Sequence, residues 1–233
     1  MKLYNGDCLE IMKQIPDNSI DLILTDPPYL MNYKTGHRKD KTHKFCSEIA
    51  NDDNFDLISN YIKECFRIIK NNSAILMFCN CTHIDFFKQE LEKYFNVKNI
   101  IVWVKNNWSA GDLEHSFGRQ YEFLVYASKG QKKINGFRYS DVWEFDRVAG
   151  DKLVHQNQKP IPLLERVIKS FTFEGEVVFD GFMGSGSTGI ACKNLNRDFI
   201  GVELDKEYFR IAKERIENGF VQKEVKTDFG LFE

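Results

Sequence analysis

The chain has 233 residues, of which 42% are hydrophobic and 28% charged, with a formal net charge of −2; this apolar content excludes a disordered chain, and 15 glycines without a three-residue period exclude a collagen-like one. No apolar run approaches the roughly 18–20 residues that cross a bilayer, and Met1–Asp7 shows neither a long apolar core nor a small-residue cleavage site, so neither a membrane protein nor a secreted one is expected.

Short apolar runs alternate with helical patterns, the signature of a mostly parallel sheet covered by helices on both faces. Ser19–Thr25 is the first predicted strand. Phe55–Lys70 follows as a helix, with Leu57, Ile58, Tyr61, Ile62, Cys65, Ile68 and Ile69 at three-four spacing. Next come a strand at Ala74–Cys79 and a helix at Ile84–Phe95. Ile100–Val104 and Tyr121–Ala127 are strands with no helix between them, which predicts an antiparallel pair at one edge of the sheet. A helix at Pro162–Phe171, a strand at Glu176–Asp180, a helix at Thr188–Asn194 and a strand at Phe199–Glu203 continue the alternation. The last helix, Lys206–Asn218, has Asp205 as its expected N-cap and Gly219 just past its end. This places one domain over residues 1–219 and a loosely held tail over 220–233. Two long polar stretches, Leu30–Asp53 and Asn106–Arg119, break the rhythm, and loops of that length usually carry function.

The charge is unevenly distributed. Lys34–Lys44 holds five basic residues against one Asp, and Lys129–Arg138 holds four and no acid. Two basic segments in a chain of balanced charge fit a polyanion bound on one face, with solvated loops as the plainer reading. The six cysteines contain no CxxC pair and read as reduced thiols of a cytoplasmic protein. Cys79, Cys81 and His83 alternate, but no fourth ligand follows at metal-site spacing, so no metal is expected. Asp112, Glu114 and His115 fall on a polar loop that reads as facing a ligand rather than as a second catalytic site, and Trp103 and Trp108 suggest only packing or loop contact.

Two loops carry the chemistry. Asp26-Pro27-Pro28-Tyr29 stands directly at the end of an apolar strand, where open α/β sheets bind ligands. Two prolines make the turn rigid and remove two N–H donors, leaving a carboxylate, a bare carbonyl and an aromatic ring on one edge. That set suits a flat ring bearing an amino group: two acceptors take its two N–H bonds and the aromatic stacks on its face. The second loop, Asp180-Gly181-Phe182-Met183-Gly184-Ser185-Gly186-Ser187-Thr188-Gly189, follows a strand and opens a helix. Gly184, Gly186 and Gly189 satisfy GxGxxG, and Glu203 ends the next strand, where an acid that binds ribose belongs. These features indicate an adenosine cofactor; alone, the glycine loop fits a nicotinamide dehydrogenase equally well. Here the cofactor half comes last in the chain, as in a permuted dinucleotide fold whose new termini lie at the surface.

In this order the motifs resemble the β-class DNA amino-methyltransferases, which use S-adenosylmethionine. The likeness spans nearly the whole chain. Besides Asp26–Tyr29 and Phe182–Gly186 it includes Gly6-Asp7-Cys8, Ile15-Pro16-Asp17, Arg67-Ile68-Ile69-Lys70, Arg119-Gln120-Tyr121-Glu122 and Asp141-Val142-Trp143. It closes with His155-Gln156-Asn157-Gln158-Lys159-Pro160, where Gln156 and Asn157 depart from the family's His-Pro-Thr-x-Lys-Pro. The resemblance implies a Rossmann-like methyltransferase fold, with a mixed, mostly parallel seven-stranded sheet, an antiparallel edge strand and circularly permuted motif order. It implies catalytic roles for Asp26, Pro27, Pro28 and Tyr29. Glu203 would hold the ribose hydroxyls, and Asp7 with Cys8 would meet the adenine. Asp26 and the residues Asp180, Phe182, Gly184, Ser185, Gly186, Ser187 and Thr188 would surround the methionine part, with His155 and Lys159 lining that end.

The implied reaction moves a methyl group onto the N6 amino group of an adenine swung out of double-stranded DNA, with no covalent intermediate. The cytosine-C5 reaction typically uses a cysteine that follows Pro, and none of the six cysteines does so. Lys34, Arg38, Lys39, Lys41, Lys44 and Arg119 would contact DNA, chiefly at phosphates. Residues 30–53 and 106–119 would be DNA-facing loops, and 129–153 a reduced recognition segment. Family members often dimerise, although nothing in the chain itself shows it, and no restriction partner can be read from it. Methylation of cytosine N4 demands the same two acceptors, and Asp rather than Ser at the first motif position favours adenine. A nicotinamide oxidoreductase and a non-catalytic nucleic-acid-binding module are the rivals from other classes.

Overall fold

The computed structural model describes residues 1–31, 52–108, 114–148 and 158–218. In chain order these form β1 (Lys2–Asn5), α1 (Cys8–Met12), β2 (Ile20–Thr25), α2 (Phe55–Ile68), β3 (Ile69–Cys79), α3 (Ile84–Glu92) and β4 (Asn96–Val104). There follow β5 (Tyr121–Lys129), β6 (Val142–Glu144), α4 (Ile161–Phe171), β7 (Val177–Asp180), α5 (Ser187–Asn194), β8 (Asp198–Glu203) and α6 (Lys206–Asn218). Among the described residues no helix is long and apolar enough to cross a membrane.

The strands build one sheet in the order β1-β8-β7-β2-β3-β5-β4-β6. Among the described residues it has eight strands, where seven are expected from the resemblance. The pairs β1·β8, β8·β7, β7·β2, β2·β3 and β4·β6 are parallel, while β5 runs antiparallel to both β3 and β4. The expected antiparallel β4·β5 pair is therefore present, but it is not the edge. β6 covers the outer side of β4, with Val142 opposite Val102 and Glu144 opposite Val104. Three residues give no periodicity to read, so β6 escaped sequence reading, as did the four-residue β1 and the five-residue α1.

Alternation along the strands divides the core. Leu22 and Leu24 of β2 join Leu76 and Phe78 of β3 beneath α4 and α5. Ile23, Ile75 and Met77 point the other way and pack under α2 with Ile58, Tyr61 and Ile62. β2 is buried along its whole length, as a central parallel strand covered on both faces must be. Its one charge, Asp21, pairs with Lys70 at 2.7 Å and accepts the Val177 amide at 3.0 Å. The predicted helix Phe55–Lys70 stops at Ile68, because Ile69 turns extended (φ −77°, ψ 140°) and pairs with Ile20 as the start of β3. Arg67 then closes the corner by donating to the carbonyls of Met12 (2.6 Å) and Ile15 (2.9 Å).

Parallel pairing of β2 with β7 sets the Asp26 turn beside the Asp180 loop at the carboxyl end of the sheet. β5, being antiparallel, begins at that same end, with Tyr121 opposite Val104. Its far end, Lys129, lies at the opposite side and is tied inward, donating to Asn18, Phe66 and Ile69 at 2.8–2.9 Å.

Candidate active site

A cavity of about 720 Å³ opens at the carboxyl ends of β2, β7 and β8, lined by the Asp26–Tyr29 turn, the Asp180–Thr188 loop, Gly6–Cys8, Lys159 and Glu203. Two loops distant in sequence thus face one space.

On the β7 side, Asp180 is buried and accepts three hydrogen bonds. Its Oδ1 accepts Thr25 Oγ1 at 3.0 Å and the Phe182 amide at 3.1 Å, and its Oδ2 accepts Thr188 Oγ1 at 2.8 Å. Burial still pushes its carboxyl up to about 6. The Tyr61 hydroxyl of α2 donates to Thr25 Oγ1 and accepts the Gly181 amide, both at 3.2 Å, so a buried polar chain stitches the ends of β2 and β7 together. Gly181 is required there, since a Cβ would stand 2.4 Å from the Tyr61 ring. Gly186 takes φ 81° to turn the chain into α5. The Ser187 hydroxyl that follows lines the cavity, buried and without a hydrogen-bond partner.

At the end of β8, Glu203 receives the Gly184 amide on Oε2 (2.9 Å) and the Asp205 amide on Oε1 (2.8 Å). Burial raises its carboxyl to about 7. Asp7 is the N-cap of α1, accepting the amides of Leu9 (2.8 Å) and Glu10 (3.2 Å). Cys8 beside it is buried, with its thiol pushed up to about 12 by burial and then by Asp7, so it stays a protonated thiol.

The Asp26 turn is joined to an ion cluster. Asp26 Oδ1 accepts the Tyr29 hydroxyl at 2.6 Å and Oδ2 accepts Lys159 Nζ at 2.6 Å. Lys159 also lies 3.0 Å from the Tyr29 hydroxyl and 3.2 Å from Glu122 Oε2. Lys105 pairs with the other oxygen of Glu122. Burial alone would raise Glu122, yet Lys159 and Lys105 outweigh it and hold the carboxyl at about 2. Burial raises Asp26 above the usual carboxylate range, with Glu122 adding to it and Lys159 opposing. Leu30 closes the turn in the left-handed region (φ 60°), which an L side chain with a Cβ tolerates only when packing over-determines it; Leu30 is 4% exposed.

The structure therefore brings Asp7, Cys8, Asp26, Pro27, Pro28, Tyr29, Lys159, Asp180, Phe182, Gly184, Ser185, Ser187, Thr188 and Glu203 to one cavity. Gly186 acts as the N-cap behind it. Lys159 does more than line a wall, being bonded to Asp26 itself. Arg119 lies exposed just ahead of β5, at the same end of the molecule. His155, Lys34, Arg38, Lys39, Lys41 and Lys44 fall outside the described residues, as do Gly219 and the 220–233 tail. Sequence reasoning gave no site role to Glu122, Lys105, Thr25 or Tyr61, naming Glu122 only within a motif and Tyr61 only as a helix-face residue. The signal that could have found them was an acid, Glu122, in an otherwise apolar strand.

A family model described as DNA methylase matches residues 20–214. The chain belongs to the DNA methylase family. The Type II methyltransferase M2.MboI of Moraxella bovis is 31% identical over 252 residues, covering 95% of this chain and 92% of that protein. M.HpaI of Haemophilus parainfluenzae is 28% identical over 249 residues, covering 94% and 75%. The crystal structure of an M1.HpyAVI–SAM complex is 31% identical, covers 92% of this chain and 98% of that one, and superposes with a TM-score of 0.72. The protein is an S-adenosylmethionine-dependent DNA amino-methyltransferase, which sets aside the nicotinamide reading of the glycine loop.

The cavity of this methyltransferase suits that cofactor. Asp7, Asp26, Asp180, Glu203 and Asp205 line it against few cations, a surrounding that favours a sulfonium and repels a pyrophosphate. The unpaired Ser187 hydroxyl at the start of α5 offers a donor where an amino-acid carboxylate would be met by helix amides.

Proposed function

We propose that the protein methylates N6 of adenine at a specific site in double-stranded DNA, the base being swung out of the duplex into the mouth of the cavity beside Tyr29. The observation that carries this reading is the Asp26 carboxylate, held at the cavity wall beside Pro27, with two prolines following it that bring no N–H donor to the turn. An exocyclic amino nitrogen is a poor nucleophile because its lone pair is delocalised into the ring. Accepting its two N–H bonds at Asp26 and Pro27 favours a tetrahedral nitrogen with the lone pair directed along the line of attack. The cofactor supplies the methyl group on a sulfonium, a leaving group that needs no acid. The nitrogen's surplus proton is lost afterwards, and Asp26, raised by burial, stands beside it as acceptor. Tyr29 stacks on the base, offsetting part of its unstacking cost at about 1–3 kcal/mol.

For the cofactor, Glu203 takes the ribose hydroxyls on the lone pairs left by its two amide donors, and Ser187 with the start of α5 takes the carboxylate. Aspartate at the first motif position, rather than serine, supports adenine over cytosine. The similar Type II methyltransferases support a site-specific modification enzyme.

The experiment incubates unmethylated DNA with cofactor labelled in the methyl group and digests the product to nucleosides. Label in N6-methyladenosine, lost in Asp26→Ala, is the expected result. Label in N4-methylcytosine moves the target base, and no transfer to DNA defeats the reading.

A further inference from the structure

Asp26 has both oxygens engaged by the chain itself, Oδ1 by the Tyr29 hydroxyl and Oδ2 by Lys159, each at 2.6 Å. An amino group brought to that carboxylate takes a lone pair still open on one of them, and competes with the Tyr29 hydroxyl and the Lys159 ammonium for the same negative charge. The lysine cannot simply leave, because it is 5% exposed and a buried ammonium stripped of its counter-charge is strongly disfavoured. A second carboxylate stands within reach: Glu122 Oε2 lies 3.2 Å from Lys159 Nζ and 3.0 Å from the Tyr29 hydroxyl. The hydroxyl has one hydrogen, which serves Asp26 or Glu122 but not both.

We infer that Glu122 is a positioning residue of the methyl-acceptor site, the alternative dock to which the Lys159 ammonium and the Tyr29 hydroxyl turn when Asp26 takes the amino group of the base. The inference rests on the reading of Asp26 as that acceptor. The shift needed is small, since Nζ already touches both carboxylates. β5 supplies the dock because it runs antiparallel to its neighbours in the sheet, and so begins at the end where β2 and β3 finish. Lys105 grips the other oxygen of Glu122 and, after Lys159, helps to keep it ionised.

The charges facing Asp26 fix the sign of the test. Among the described residues they are Lys159 ahead of α4, Glu122 on β5 and Asp180 on β7, with the Tyr29 hydroxyl and the Cys79 thiol of β3 beside them and Lys105 behind Glu122. Asp26 must be ionised to accept, so its protonation sets the acid limb of the kcat profile. Glu122 raises Asp26, so removing its charge lowers it; Lys105 acts from behind Glu122, and withdrawing that cation leaves more negative potential at Asp26 and raises it.

The experiment measures kcat, KM for DNA and cofactor affinity across the pH range for wild type, Glu122→Gln and Lys105→Gln. In E122Q, kcat falls roughly tenfold to a hundredfold, cofactor affinity stays within about twofold, and the acid limb moves to lower pH. In K105Q the limb moves to higher pH. Opposite displacements are not produced by a general structural lesion. Limbs that coincide with wild type, or that move in the same direction, overturn the inference while wild-type turnover leaves the adenine reading standing. A wild type that transfers no methyl group overturns both. Should E122Q fail to fold, an unmoved limb in K105Q is sufficient to reject the proposal.

Discussion

Glu203 illustrates how burial prepares a carboxylate for a ligand. Its two oxygens already accept backbone amides, yet removal from water raises its carboxyl to about 7, far above the usual carboxylate range. A raised folded value means that the group favours the native state below the ordinary range and loses that contribution as pH rises through 7. In the cofactor pose proposed above, ribose hydroxyl donors would act in the opposite sense by stabilising the charged form. Cofactor affinity is therefore expected to strengthen by up to about tenfold per pH unit as pH rises toward 7, with proton release on binding. Isothermal titration in buffers of different ionisation enthalpy reads both quantities. Glu203→Gln should weaken binding and leave only the smaller dependence centred near 6 that belongs to Asp180. A wild-type affinity flat between about pH 6 and pH 8 would remove the carboxylate from the ribose. Of these details the sequence showed the acid at its strand end. It could not show the two amides, because they arrive from a different loop and from the turn into α6.

Between elements, the fold depends on polar ties at strand ends as much as on apolar faces. The three-four spacing of α2 pointed to its buried stripe, with Tyr61 counted as one more apolar position. Tyr61 proves to be 0% exposed and to bridge the Gly181 amide and Thr25 Oγ1, joining α2 to the loops after β2 and β7. Tyr61→Phe keeps the ring and strands the Gly181 N–H, so a loss of about 1–3 kcal/mol is expected in denaturant unfolding. Cofactor binding should weaken as well, because the two loops lose a shared anchor; unfolding free energy equal to wild type would assign the tie no weight. β6 shows why short elements defeat sequence reading. Its three residues are held by pairing to β4, by the Trp103 indole donating to the Phe145 carbonyl at 2.8 Å, and by Arg166 lying against Tyr139, Trp143 and Phe145. Every one of those ties reaches a separate element or a flanking loop, where no local pattern points.

Taken whole, the methyltransferase gathers its chemistry at the carboxyl end of one sheet, with Arg119 exposed at the same end and Lys129 turned inward at the other. DNA affinity is expected to rest on the basic Lys34–Lys44 segment rather than on net charge, which is −2. Replacing its five basic residues with alanine should lower the slope of log affinity against log salt by about 0.9 for each phosphate no longer neutralised. Fluorescence anisotropy across a salt series measures the slope, and an unaltered value would place the phosphate-binding side chains elsewhere. The alternation of strands and helices, the Asp-Pro-Pro-Tyr turn, the glycine loop and the permuted order are all local patterns of period, turn chemistry and spacing, so they were legible in the residues alone. The eighth strand, the place of β5 within the sheet, the Tyr61 tie and the Asp26–Lys159–Glu122 cluster were not. They arise from pairing and burial between segments as much as 133 residues apart, and a charge becomes a counter-ion only when folding removes it from water beside its partner.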